Sequence, residues 1–277
     1  MNRTLYVTDM DGTLLNNGSF VSHRSSSIIS DLSHAGALIT VATARTPATV
    51  VPLMEGTFTT LPFVTLTGAA MFDHATMAYH DVSYLAADDC AMLMALYADA
   101  GVNPFVYHLN ANGELTVYHD YEMTPAEREF YTPRSNLQLK RFTFDKSSAS
   151  SDNVLLLFSV APRRVIQPLA DAIRATGRFS LSCYTDNTMP EVMILEVYAL
   201  GVSKANSIKR LMASTGADRL VAFGDNLNDL PMLDIADVAV AVANAHPQVK
   251  ESADIVIGPN YDDSVARFIL YDYYNRR

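Results

Sequence analysis

Asp9 and Asp11 stand one residue apart and are followed at once by Gly12 and Thr13. In extended backbone, side chains two positions apart leave on the same side, so both carboxylates are delivered to one small space. Like charges held that close repel each other unless a proton or a cation intervenes, which points to a divalent metal with hard oxygen ligands. The run Leu5-Tyr6-Val7 ahead of them reads as a strand, and Gly12 as the turn that ends it. Open parallel sheets bind ligands outside the carboxyl ends of their strands, where these two side chains would emerge. An Asp-Gly pair is also an ordinary solvated turn. A calcium-binding EF-hand loop is a poorer match, because its glycine belongs at the sixth position and Gly12 is the fourth from Asp9.

Three further stretches carry the same strand-end or helix-start chemistry. The apolar run 37–42 ends in Thr43-Ala44-Arg45, where the Thr43 hydroxyl can donate to an anion. Ser203 is a good helix N-cap, which puts Lys204 in the first helical turn. The helix dipole disfavours a cation there, so an anion would benefit from both the free backbone amides and the ammonium. A third apolar run, Leu220-Val221-Ala222-Phe223, ends in Gly224-Asp225 and passes through Asn228-Asp229 into helix. Taken singly, Thr43 reads as a structural strand-end residue and Lys204 as a surface lysine.

Together and in this order, the four stretches resemble the motifs of the haloacid dehalogenase superfamily of phosphatases: Asp-x-Asp-Gly-Thr, a strand-end Thr, a helix-opening Lys, and Gly-Asp-x-x-Asn-Asp. Ala44 stands where that family commonly has glycine, and Thr67-Gly68-Ala69 where it has Asn-Gly-Ala. The resemblance implies Mg²⁺ as cofactor, held by the Asp9 and Asp225 carboxylates and the Asp11 backbone carbonyl. It also implies Asp9 as a nucleophile that becomes an aspartyl-phosphate, and Asp11 as general acid and base. Thr43, Lys204 and Asn228 would hold phosphate, with Asp229 supporting metal or lysine. The activity implied is hydrolysis of small phosphorylated metabolites, sugar phosphates first and phosphorylated cofactors second. A phosphomutase with the same core, or a non-catalytic phosphometabolite sensor, stays open.

These residues need a scaffold, and the pattern supplies an α/β one. Apolar strands alternating with amphipathic helices over 1–82 and 190–277 predict a doubly wound, Rossmann-like parallel sheet. Between them, 83–189 mixes helices with antiparallel hairpin signals such as Asn112-Gly113, which predicts an inserted α+β domain. It resembles the cap of the Cof-type subgroup and is expected to select the leaving group, with Arg45, Tyr184, Asp186 and Asn187 as candidate contacts. His108 and His119 could face each other across a hairpin there, but with no third ligand evident they are assigned no metal. The polar stretch after Gly12 reads as a mobile loop.

Composition narrows the partners. The chain of 277 residues is 49% hydrophobic, enough for a large core, and its net charge of −10 argues against nucleic acid or an anionic membrane surface. Two cysteines, Cys90 and Cys183, are too few for a disulfide framework, and no stretch approaches the roughly 20 apolar residues of a membrane span. Asp9 and Asp11 interrupt any signal-peptide-like run. The expectation is a cytoplasmic monomer or small homo-oligomer acting on a small phosphorylated metabolite.

Overall fold

The computed structural model describes residues 3–120, 122–145, 151–185 and 189–275. The chain divides into two compact units, Met1–Asp81 with Ser203–Arg277, and Val82–Val202. In the first unit β1 (Thr4–Thr8) leads through α1 (His23–His34) to β2 (Leu38–Val41), then to α2 (Pro47–Leu53) and an antiparallel meander of β3 (Phe63–Thr65), β4 (Ala70–Asp73) and β5 (Ala78–His80). The inserted unit holds α3 (Ala87–Asp99), β6 (Phe105–Leu109), β7 (Leu115–Tyr118), α4 (Pro125–Tyr131), β8 (Arg141–Thr143), β9 (Val154–Pro162), α5 (Arg163–Ala175), β10 (Phe179–Thr185) and β11 (Val192–Ala199). The first unit then resumes with α6 (Lys204–Thr215), β12 (Arg219–Gly224), α7 (Leu230–Leu233), β13 (Val238–Ala241), α8 (Pro247–Ser252), β14 (Ile255–Val256) and α9 (Ser264–Asn275).

The main sheet is parallel, in the order β14-β13-β12-β1-β2. Every residue of β12 and all of β1 after Thr4 are buried, as expected of strands covered on both faces. From β1 the chain crosses to β2 on one side, while from β12 it crosses to β13 on the other. The crevice between β1 and β12 is therefore the switch point at which such sheets bind ligands. Register aligns the strand ends: Thr8 lies opposite both Phe223 and Val41. The core between sheet and helices gathers Leu5, Val7, Ile29, Leu32, Val221, Phe223 and Ile269. Ser22 caps α1 by accepting the Ser25 amide.

The inserted unit is a six-stranded sheet, β10-β11-β9-β6-β7-β8, antiparallel except for the β7–β8 pair. Leu93 and Tyr97 of α3 and Ile166, Leu169 and Ile173 of α5 pack with Leu157, Leu195 and Val197 in its core. The return to the first unit comes at Ser203 and not at residue 190, because β11 pairs on both edges, with β9 and β10. An apolar run such as Val192–Val197 declares a buried strand but not which sheet it joins. His119 stacks on Phe105 with ring centroids 4.0 Å apart and faces Glu127, while His108 lies edge-on to Tyr118. Tyr118 and His119 are consecutive in extended chain and point to opposite sides, so the two histidines share no site.

The stretch after Gly12 is a loop, as expected, and it is tied down: Asn244 donates to the Gly12 carbonyl and Asn260 to that of Leu15, both at 2.7 Å, and Asn16 closes a tight turn back to Phe20. Helices α2, α4 and α8 each open on proline, where the missing N–H costs nothing.

A buried ion pair ties the C-terminal helix to the sheet. Arg219 of β12 donates to both oxygens of Asp272 at 2.7 and 3.1 Å, and the Tyr6 hydroxyl donates to Asp272 at 2.9 Å. Asp272→Ala strands a buried guanidinium, and the expected loss is about 3 kcal/mol of stability. It should be read as a lower urea midpoint at unchanged slope; an unshifted midpoint contradicts it.

Candidate active site

The switch crevice is filled by charge. Asp9, the residue after β1, donates its amide to the Phe223 carbonyl of β12 at 2.9 Å, which locks the two strand ends together. Lys204 opens α6 behind the N-cap Ser203, whose hydroxyl accepts the Asn206 amide at 3.1 Å. Its ammonium donates to Asp9 Oδ1 at 2.6 Å and to Asp229 Oδ1 at 2.8 Å. Lys204 is only 3% exposed and Asp229 is wholly buried, so the surface-lysine reading does not hold. The other Asp229 oxygen accepts the amides of Asp225 and Asn226 at 3.1 and 3.2 Å. Asp225 is part-buried and takes the Thr13 hydroxyl at 3.1 Å.

Asp9, Asp225 and Asp229 each present a carboxylate oxygen, all within 4.8 Å of one another. Three carboxylates thus face one ammonium. Burial and the neighbouring Asp229 push the Asp9 carboxyl up to about 8, and burial with Asp229 pushes Asp225 up to about 6. Burial opposes the charge on Lys204, but Asp229 and Asp9 outweigh it and hold the ammonium protonated. A hard divalent cation fits this donor set, because it supplies the positive charge that the carboxylates lack and takes oxygen ligands.

Backbone geometry holds the charged groups in place. Gly12 has φ +75°, and a Cβ there would sit 2.3 Å from Asp225 Oδ2, so the turn after Asp11 needs glycine twice over. Thr43 is buried just past β2. Its amide donates to Val64, its carbonyl accepts the Thr67 amide, and the Arg45 carbonyl accepts that of Leu66. The clamping turn is strained, with Leu66, Thr67 and Gly68 all at positive φ. A Cβ on Gly68 would lie 2.3 Å from the Ser203 carbonyl, so the turn that holds Thr43 also abuts the start of α6 and sets the height of Lys204.

The remaining expected residues fall into three groups. Asp11 lies on the turn with its side chain 55% exposed, and Arg45 grips both of its oxygens. Asn228 is exposed on the turn before α7, and Tyr184 is exposed near the end of β10. Asp186 and Asn187 lie outside the described residues. Sequence reading overlooked Thr13 on Asp225, Asn244 and Asn260 on the Gly12 turn, and the His246 amide on the Asp225 carbonyl. Only Thr13 had a signal, as the last residue of the first motif; the others are loop residues whose partners are more than twenty positions away.

A family model for haloacid dehalogenase-like hydrolases matches residues 6–269. The chain belongs to this family. Over 269 residues it is 26% identical to the 5-amino-6-(5-phospho-D-ribitylamino)uracil phosphatase YcsE of Bacillus subtilis (strain 168), covering 96% of this chain and 94% of that protein. It is 25% identical to the pyridoxal phosphate phosphatase YbhA of Escherichia coli (strain K12), covering 97% and 98%. The solved structure of the haloacid dehalogenase subclass IIB sugar phosphatase BT4131 shares the fold, with a TM-score of 0.73 at 20% identity and coverage of 97% and 98%. The matched residues span both units of this haloacid dehalogenase-like hydrolase, and the two curated relatives are named phosphatases.

The crowded carboxylates predict a pH-dependent metal effect. Without a cation, the raised Asp9 and Asp225 groups keep the folded state more protonated than the unfolded one between about pH 4 and 8. Their contribution to stability is therefore present at low pH and is lost as pH rises through that window. Added Mg²⁺ should raise the melting temperature more at pH 8 than at pH 5, since proton and metal compete for the same oxygens. An increment independent of pH contradicts this charge assignment.

Proposed function

We propose that this haloacid dehalogenase-like hydrolase is a Mg²⁺-dependent phosphatase that cleaves small phosphorylated metabolites through a phosphoryl group carried on Asp9. The observation that carries the proposal is the buried Lys204 ammonium bridging Asp9 and Asp229 at the sheet's switch point, with Asp225 beside them. A phosphate monoester and a carboxylate nucleophile are both anionic, so they react only where positive charge is preorganised. A hard divalent cation held by the Asp9 and Asp225 carboxylates and the Asp11 carbonyl would neutralise charge on the transferring group.

The chain's own residues supply the rest. An Asp9 oxygen attacks phosphorus, the bond from phosphorus to the alcohol oxygen breaks, and protonated Asp11 gives its proton to that departing oxygen. Asp11, now a carboxylate, takes a proton from water as the water oxygen attacks the same phosphorus. The bond to Asp9 breaks, phosphate departs, and Asp11 is protonated again. Lys204, the Thr43 hydroxyl and Asn228 hold phosphate oxygens, and Asp229 fixes the lysine through its buried ion pair.

Leaving-group choice belongs to the inserted domain, with Tyr184, Asp186 and Asn187 as its candidate contacts. Sugar phosphates are the leading class and phosphorylated cofactors the second. The curated relatives' names specify a phosphoribitylaminouracil and pyridoxal phosphate, both small phosphorylated metabolites.

A panel of phosphorylated metabolites, assayed for released phosphate with Mg²⁺ and with chelator, tests the proposal. Hydrolysis should require the metal. Asp9→Asn, nearly isosteric, should fold and lose at least about a thousandfold in kcat. A folded Asp9→Asn protein with near-normal turnover rules out the nucleophile.

A further inference from the structure

Arg45 grips Asp11 in a way that no phosphate or metal contact requires. Its Nε donates to Asp11 Oδ2 at 2.6 Å and its Nη2 to Oδ1 at 2.5 Å, a bidentate pairing of planar groups. Both side chains are partly exposed, and a bidentate fork adds geometric specificity to whatever energy it supplies, so the pair fixes orientation. Asp11 needs orienting: it is the most solvent-exposed acid of the constellation, standing on a turn whose next residue, Gly12, is left-handed. Arg45, in contrast, is anchored. Its amide donates to Thr43 Oγ1 at 3.2 Å and its carbonyl accepts the Leu66 amide at 3.0 Å, so the guanidinium projects from the clamped loop that also carries Thr43.

We infer that Arg45 is a positioning residue that holds the Asp11 carboxyl in the orientation from which its proton reaches the departing oxygen, and is not primarily a contact for the substrate's leaving group. A carboxylate oxygen has two lone pairs, so one guanidinium N–H on each leaves the second free to carry or accept the proton. The planar fork fixes both side-chain torsions of Asp11, which a lysine ammonium, as a single point charge, does not. The inference rests on Asp11 being the acid and base of the proposed reaction.

The signature is dependence on the leaving group. A phenolate such as p-nitrophenolate departs without a proton, whereas an alkoxide needs one. Arg45→Ala, Arg45→Lys, Asp11→Asn and the Arg45→Ala/Asp11→Asn double variant should be assayed on p-nitrophenyl phosphate and on the alkyl phosphate that the wild-type enzyme hydrolyses fastest. Arg45→Ala should lower kcat/KM, which reports transfer to Asp9 and not the later attack of water common to all substrates, by roughly ten- to a hundredfold on the alkyl ester and by less than about threefold on the aryl ester. Arg45→Lys should recover only part of the loss, and in the double variant Arg45→Ala should add nothing further. Equal losses of kcat/KM on both esters, or a full additional loss in the double variant, overturns the positioning role. Leaving-group dependence in Asp11→Asn but not in Arg45→Ala overturns it while sparing the acid and base. An Asp11→Asn enzyme with no such dependence removes the acid and the inference together.

Discussion

A lysine ammonium with almost no exposure to water, bonded to two aspartates and crowded by a third, is the interaction on which this structure turns. Removing such charges from water costs several kcal/mol per ion, and attraction in the interior offsets that only when every oxygen and proton has a partner. Asp229 meets this demand fully, with one oxygen on Lys204 and the other on two backbone amides. Asp9 and Asp225 do not, and burial, with the neighbouring Asp229 carboxylate second, pushes both of their carboxyls above the usual range although Lys204 is close by. Three carboxylates facing one ammonium make the crevice receptive to a cation, and a site completed by a cation is one that an anionic ester can approach.

The fold exists, in effect, to hold residues distant in sequence at this spacing. Asp9 and Lys204 are 195 positions apart, with the whole inserted unit between them. Parallel pairing of β1 with β12 brings the carboxyl ends of both strands level, so Asp9 and Asp225 emerge side by side. The strained turn through Leu66, Thr67 and Gly68 then couples the loop after β2 to the start of α6 through a close backbone approach. Left-handed backbone costs energy at Leu66 and Thr67, and its recurrence in consecutive residues beside a charged site accords with strain retained where positioning matters.

How much of this could be read from sequence differs by element. Strands such as β1, β2 and β12 were legible because a buried parallel strand is a short apolar run, and Asp9, Lys204 and Asp225 because their motifs mark where strands end and a helix begins. Allegiance of β11 was not legible, since hydrophobicity records burial and not partner. Helices opening on Pro47, Pro125 and Pro247 escaped notice because proline reads first as a breaker. The Asn244 and Asn260 contacts were hidden because side-chain bonds to a turn more than two hundred residues away leave no local pattern. Arg45 was visible as a cation near Thr43, but its engagement with Asp11 follows from the three-dimensional path of two loops.

A nucleophilic Asp9 must carry the phosphoryl group for part of every turnover, and that species can be sought directly. The enzyme, mixed with its best substrate and Mg²⁺ and stopped in acid within a turnover, should yield a phosphorylated peptide by mass spectrometry, with the modification on Asp9 and absent from the Asp9→Asn protein. Steady hydrolysis with no phosphorylated peptide at any quench time, or with the phosphoryl group on a different residue, would contradict Asp9 as the nucleophile.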